Sequence, residues 1–181
     1  WEAPFIYKGN TNRGDIFLRH DGFRILLADG QNHDKVHGLR HGWVKGEQTL
    51  SYHVFDILFK GGNPNAAMSG EKPQKQYYNY FLSNDTTKWK SGIHPVMAVN
   101  YQSIYPNIDA HVYSDQGNIK YDLIVRAGGN VNDIQLEYKG LDGVRIEDGK
   151  LFLKTSLGDV TETIPYCYQY IHGERKEVKC K

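Results

Sequence analysis

The sequence predicts an all-β fold: antiparallel sheets packed as a β-sandwich, or an open, barrel-like double sheet, with little helix. Three observations carry this. About a dozen short apolar and aromatic runs recur at roughly 8–12-residue spacing, with turn residues between them. Tyrosine, which favours strands, occurs 13 times in 181 residues, and glycine 19 times. No stretch carries the apolar period of an amphipathic helix, and a parallel α/β fold needs helical crossovers.

Taken in order, runs 16–19 and 23–27 flank His20-Asp21-Gly22, a strong hairpin signal, and a second turn follows at Asp29-Gly30. Residues 31–49 are polar and carry Gly38, Gly42 and Gly46, which argue against a stable helix. The run 50–59 (LSYHVFDILF) has large side chains on both faces, which predicts a central strand. Residues 61–75 hold two prolines and predict a long, mobile loop. Runs 77–82 and 96–101 are further strands. Beyond them, 108–113 and 119–125 flank a turn at 114–118, and 134–138 precedes Lys139-Gly140. Runs 144–146 and 151–154 flank Asp148-Gly149, 160–164 follows Leu157-Gly158, and 166–171 and 175–179 enclose His172-Gly173-Glu174.

Charge excludes some partners. With 22 basic and 21 acidic residues the net charge is +1, so no global field attracts nucleic acid or an anionic membrane. Arg175, Lys176, Lys179 and Lys181 are balanced by Glu174 and Glu177 and read as a solvated strand face. No apolar stretch approaches the ~18 residues of a membrane span. The chain starts at Trp1 rather than Met, which leads to the expectation of a processed piece of a longer protein.

Cys167 and Cys180 lie in the last expected hairpin. If Gly173 and Glu174 form a two-residue loop, opposed residue numbers sum to 347, and 167 plus 180 is 347. Such a pair has Cα atoms about 4.5–5.5 Å apart, within disulfide reach. The alternative is two unpaired cysteines that pack.

Several constellations bear on chemistry. His33, His37 and His41 recur every fourth residue, the spacing that shares one helix face and suits zinc, but the glycines among them favour a polar loop that is rich in histidine. His111 and Asp122 fall opposite each other across a hairpin, as an orienting pair or as an ordinary cross-strand contact. Asp109, Asp122, Asp142, Glu147 and Asp148 include material for a glycosidase pair, although Asp142 and Asp148 precede glycines in turns. Tyr77, Tyr78, Tyr80 and Trp89, with Trp43 and Trp1, offer an aromatic binding face for a sugar or a protein. No phosphate-binding loop, GxGxxG, GxSxG, CxxC or EF-hand pattern is present, so no cofactor and no catalytic residue is assigned.

Residues 53–63 (HVFDILFKGGN), 79–89 (NYFLSNDTTKW), 99–109 (VNYQSIYPNID), 117–129 (GNIKYDLIVRAGG), 134–140, 149–155 and 158–169 (GDVTETIPYCYQ), in that order, resemble an uncharacterised β-rich domain. That domain stands near the N-terminus of large exported Bacteroidota-type proteins with SBBP-type propeller repeats and sorting by type IX secretion or gliding-motility systems. The resemblance covers roughly residues 50–179 and is weaker over the first 49. It implies a secreted or cell-surface location, and one β-rich domain over 1–181 that leads into downstream modules of the same chain. It brings no catalytic residues. Asp109, after the Tyr105-Pro106-Asn107 turn, reads as a cap on backbone donors. The expected function is a non-catalytic extracellular module with a structural or interaction role and a protein or glycan partner. A carbohydrate-binding module and a polysaccharide or peptide hydrolase are the alternatives.

Overall fold

The computed structural model describes residues 5–43, 45–81, 83–163 and 165–179. Strand accounts for 52% of it and helix for 9%, in several antiparallel sheets and no closed barrel, so the all-β, sandwich-like expectation holds. Against the expectation of one domain over 1–181, the chain has two compact units, 1–139 and 140–181.

The first unit holds β1 (Tyr7–Thr11), β2 (Gly14–Arg19), β3 (Gly22–Ala28), α1 (Gln31–Arg40), β4 (Tyr52–Phe59), β5 (Ala67–Glu71), β6 (Tyr78–Tyr80), β7 (Lys90–Ile93), β8 (Ala98–Tyr105), β9 (Ile108–Asp115), β10 (Asn118–Val125) and β11 (Leu136–Lys139). One sheet runs β1-β2-β3-β4-β11, a second β10-β9-β8-β5, and β6 and β7 form a two-stranded ribbon.

The two larger sheets meet through alternating side chains. On β4, His53, Phe55, Ile57 and Phe59 point inward and are buried, and the second sheet supplies Val99, Tyr101, Ala110 and Val112. Phe23 packs edge-on against Phe59 with centroids 5.4 Å apart, Phe59 lies 5.6 Å from Tyr101, and Phe23 lies 5.5 Å from Tyr121. Each such ring contributes about 1.5–3 kcal/mol by leaving water. Burial pushes the Tyr101 hydroxyl far up, and it donates to the Gly22 carbonyl at 3.3 Å, which joins the sheets.

On the outer face of the first sheet, Lys8, Phe17, Arg24, Asp56 and Lys139 form one cross-strand row. Arg24 donates to both Asp56 oxygens, at 2.8 and 2.9 Å. That bond holds the Asp56 carboxyl below its ordinary range. Gly22 has a φ of +145°, and a Cβ there would lie 2.2 Å from the Ile57 carbonyl oxygen, so strands β3 and β4 approach as only glycine allows.

The second unit holds β12 (Gly143–Glu147), β13 (Lys150–Thr155) and β14 (Gly158–Glu162) as a three-stranded meander, and β15 (Tyr168–Ile171) and β16 (Glu174–Glu177) as a hairpin. Leu153 and Thr155 are buried, and the Arg175 guanidinium lies 4.0 Å from the Tyr168 ring centroid. Three two-residue loops have φ above zero at both positions, the type I′ geometry: Gln116-Gly117, Asp148-Gly149 and His172-Gly173.

Three expectations need correction. The stretch 31–49 contains a helix, α1. Its C-terminus is a Schellman motif, in which Gly42 takes φ +70°, its N–H bonds Leu39 O at 3.2 Å, and Trp43 N–H bonds Gly38 O at 2.9 Å. A glycine counted against the helix thus terminates it. The expected loop 61–75 contains β5, which pairs with β8. β4 lies inside its sheet as expected, but its outer face is open, with Tyr52 and Val54 exposed. β1 and β7 were not foreseen. Finally, the last loop is His172-Gly173, so paired numbers sum to 345 (171 plus 174), and Val178 N–H bonds Cys167 O at 3.0 Å. The register argument for Cys167 opposite Cys180 therefore fails. Cys167 is nonetheless disulfide-bonded, which rules out the alternative of an unpaired cysteine there; Cys180 lies outside the described residues.

Candidate functional site

The β8-β9-β10 face tests the expected His111–Asp122 pair. The two residues are direct partners across the strands, as expected. The imidazole, however, bonds elsewhere: His111 Nε2 lies 3.1 Å from Glu71 Oε2, and the ring stacks on Tyr113 at 5.2 Å. A hydrogen bond from Lys72, with its charge, holds the Glu71 carboxyl below the usual carboxylate range, and Asn100 and His111 add to this. This is an oriented imidazole on a sheet face. Neither His111 nor Glu71 lines the surface depression of about 260 Å³ beside Tyr105 or that of about 280 Å³ beside α1.

Asp109 does what the sequence suggested. It is buried at the end of the bulged β8–β9 hairpin, where Oδ1 accepts from Ser103 N–H at 2.7 Å and Oδ2 accepts from Arg126 Nε at 2.6 Å. Ser103 and Asn107 both have positive φ, near +54° and +59°. The carboxylate therefore fixes a tight turn and is spent on structure. Asp142, Glu147 and Asp148 fall in the second unit, where Asp148 takes the first position of its turn and Glu147 bonds Arg145 at 3.3 Å.

The three histidines share one side of α1 and its C-cap. Ring centroids of His33 and His37 are 5.9 Å apart, those of His37 and His41 4.4 Å, and Trp43 stacks on His41 at 5.0 Å. Among the described residues no group of three or more His, Cys, Asp or Glu side chains is arranged to hold a metal ion.

The predicted aromatic face is the β6–β7 ribbon. Every described residue from 75 to 94 is exposed, yet Tyr77, Tyr78, Tyr80, Phe81, Trp89 and Ile93 are among them. The ribbon has no core of its own, and polar bonds order it. The Asp85 carboxylate accepts from Thr87 Oγ1 at 2.6 Å and Thr87 N–H at 3.1 Å, which lowers its pKa and caps a single 3₁₀ turn at Thr86–Lys88. Trp89 Nε1–H donates to Ser83 O at 3.1 Å, and Asn79 Oδ1 accepts from Gly92 N–H at 3.0 Å. At its base, Gln74 N–H bonds Pro95 O and Met97 N–H bonds Glu71 O, at 2.8 and 2.9 Å. Tyr78 and Tyr80 lie 6.5 Å apart at 40°, and Phe81 meets Trp89 at 5.1 Å and 62°. The sequence singled out Tyr77, Tyr78, Tyr80 and Trp89; it missed Phe81 and Ile93, for which their place beside those residues was the available signal. Trp1 lies outside the described residues.

With this geometry in place, the relationships of the chain can be stated. A family model described as "Domain of unknown function (DUF7948)" matches residues 1–181. The chain belongs to the DUF7948 family. The match reaches the first 49 residues, where the sequence resemblance was weaker. No curated protein and no solved structure matches this DUF7948 domain.

Proposed function

We propose that this DUF7948 domain is a non-catalytic interaction module of an exported multidomain protein, and that it grips a protein partner through the β6–β7 ribbon. One observation carries the reading: six large apolar side chains stand exposed on an ordered ribbon in which no described residue from 75 to 94 is buried. Contiguous exposed aromatics mark interaction surfaces, and Tyr and Trp dominate interface energetics. The tilts of 40° and 62° between neighbouring rings leave no shared plane for a sugar to lie on, which favours a protein partner over a glycan. The exported setting follows from the resemblance read in the middle of the chain.

The test is site-specific photo-crosslinking from positions 78 and 89 in cells that make the full-length protein. The expected result is one protein adduct, with affinity for the purified adduct partner falling about tenfold or more in Tyr78→Ala and Trp89→Ala. Equal binding by wild type and both variants would remove the reading. Selective retention on a glycan array, abolished by the same variants, would transfer the ribbon to the carbohydrate alternative.

A further inference from the structure

The histidine ladder on α1 lies apart from the ribbon and is used by neither the core nor the proposed interface. We infer that it binds one divalent transition-metal ion through a pair of imidazoles one helical turn apart, always including His37.

The geometry begins with the helix. Four residues advance an α-helix by about 400°, so His33, His37 and His41 fall within about 80° of arc, with a rise of about 6 Å per step. Two imidazoles bonded to one zinc ion through nitrogens at about 2.0 Å and a tetrahedral angle have ring centroids roughly 5 Å apart, and the observed 5.9 and 4.4 Å lie on either side of that value. The outer two histidines are two turns apart and do not share an ion without His37. Among the described residues no third ligand is arranged beside either pair, so the ion would be held by two imidazoles with water in its other positions. Imidazole selects zinc, copper and nickel over magnesium and calcium, which need oxygen ligands.

The surroundings support the pair. Asp34 Oδ1 lies 3.4 Å from His33 Nδ1, the position of an acidic neighbour that orients a ligating ring through its other nitrogen. His33 and His37 also line the 280 Å³ depression with Asn32, Val36, Arg40 and Tyr52, which leaves room beside the rings. The helix is pinned where it carries the rings: Asn32 donates from Nδ2 to Ser51 O at 2.7 Å and accepts from Ser51 N–H at 3.0 Å. Trp43, 73% exposed and in contact with His37 and His41, is a built-in optical reporter.

The experiment uses the full chain without a histidine tag. Zn²⁺ is titrated by calorimetry, and Cu²⁺ is followed by quenching of tryptophan fluorescence, with Trp43→Phe to assign the signal. One ion per chain is expected, with a copper quench that is largely lost in Trp43→Phe, and no uptake of Mg²⁺ or Ca²⁺. His37→Ala lowers affinity about tenfold or more, because it breaks both chelates, whereas His33→Ala and His41→Ala each leave one chelate and lose about twofold. Alanine is the best helix former, so these changes keep α1, and circular dichroism checks that they do. His37→Gln, which retains polarity, must behave as His37→Ala. No zinc binding, or an affinity that is the same in His37→Ala as in wild type, or equal losses at all three positions, would overturn the inference.

Discussion

Asp109 gives the sharpest quantitative test of how the sequence builds this fold. Asp109 is only 7% exposed, and its carboxylate accepts from Ser103 N–H at 2.7 Å and Arg126 Nε at 2.6 Å. A hydrogen bond to a charged acceptor contributes about 1.5–3 kcal/mol. Ser103 is exposed, so water replaces part of its bond once the carboxylate is gone, and the lower end of that range applies. The Arg126 side chain is 66% exposed, which leaves its ion pair worth about 0.5 kcal/mol. Asp109→Ala should therefore cost about 2 kcal/mol, Asp109→Asn about 1 because the amide oxygen still accepts from Ser103, and Arg126→Ala about 0.5. Urea unfolding followed by intrinsic fluorescence reads these values. With a slope near 2 kcal/mol per molar, Asp109→Ala moves the midpoint down by about 1 M. If Asp109→Ala cost no more than Arg126→Ala, the carboxylate would not be the clamp of the β8–β9 turn, and the reasoning would fail.

Gly22→Ala should be among the most damaging single changes, at about 3 kcal/mol or more, because a Cβ 2.2 Å from the Ile57 carbonyl forces β3 and β4 apart; thermal melts measure it. Stability should also depend on pH through Asp56. Its folded pKa is depressed, chiefly by the Arg24 hydrogen bond, so it contributes stability above the unfolded carboxylate value near 3.9, and that contribution is lost as pH falls through the folded pKa. Asp56→Asn should consequently be less stable than wild type by about 1 kcal/mol at pH 7, with the difference shrinking below about pH 4; a gap that widened in acid would contradict the assignment.

Much of the β architecture was legible in the sequence because its signals are local. Asp148-Gly149 and Gln116-Gly117 supply the φ values of type I′ turns, and the long apolar run over 50–59 marked β4 as an interior strand, though not which of its faces is buried. The candidate ribbon was legible in part, since Tyr77, Tyr78, Tyr80 and Trp89 stand out by type, but their exposure could not be read. Strand aromatics usually face a core, and only the tertiary structure shows that every described residue from 75 to 94 is exposed.

By itself, then, the sequence determined the antiparallel sheets and most of the tight turns, because backbone dihedral preferences and period-two patterning act within a few residues. Tertiary structure decided the rest. The helix over 31–40 is weakly amphipathic and lacks a side-chain N-cap; its bonds from Asn32 to Ser51 and from Lys35 to Thr49 O reach 19 and 14 residues along the chain. The His111 ring chooses Glu71 rather than its cross-strand partner Asp122 because β5 brings that carboxylate in from 40 residues away. Such pairings depend on which distant segments the fold brings together, and no local preference encodes that.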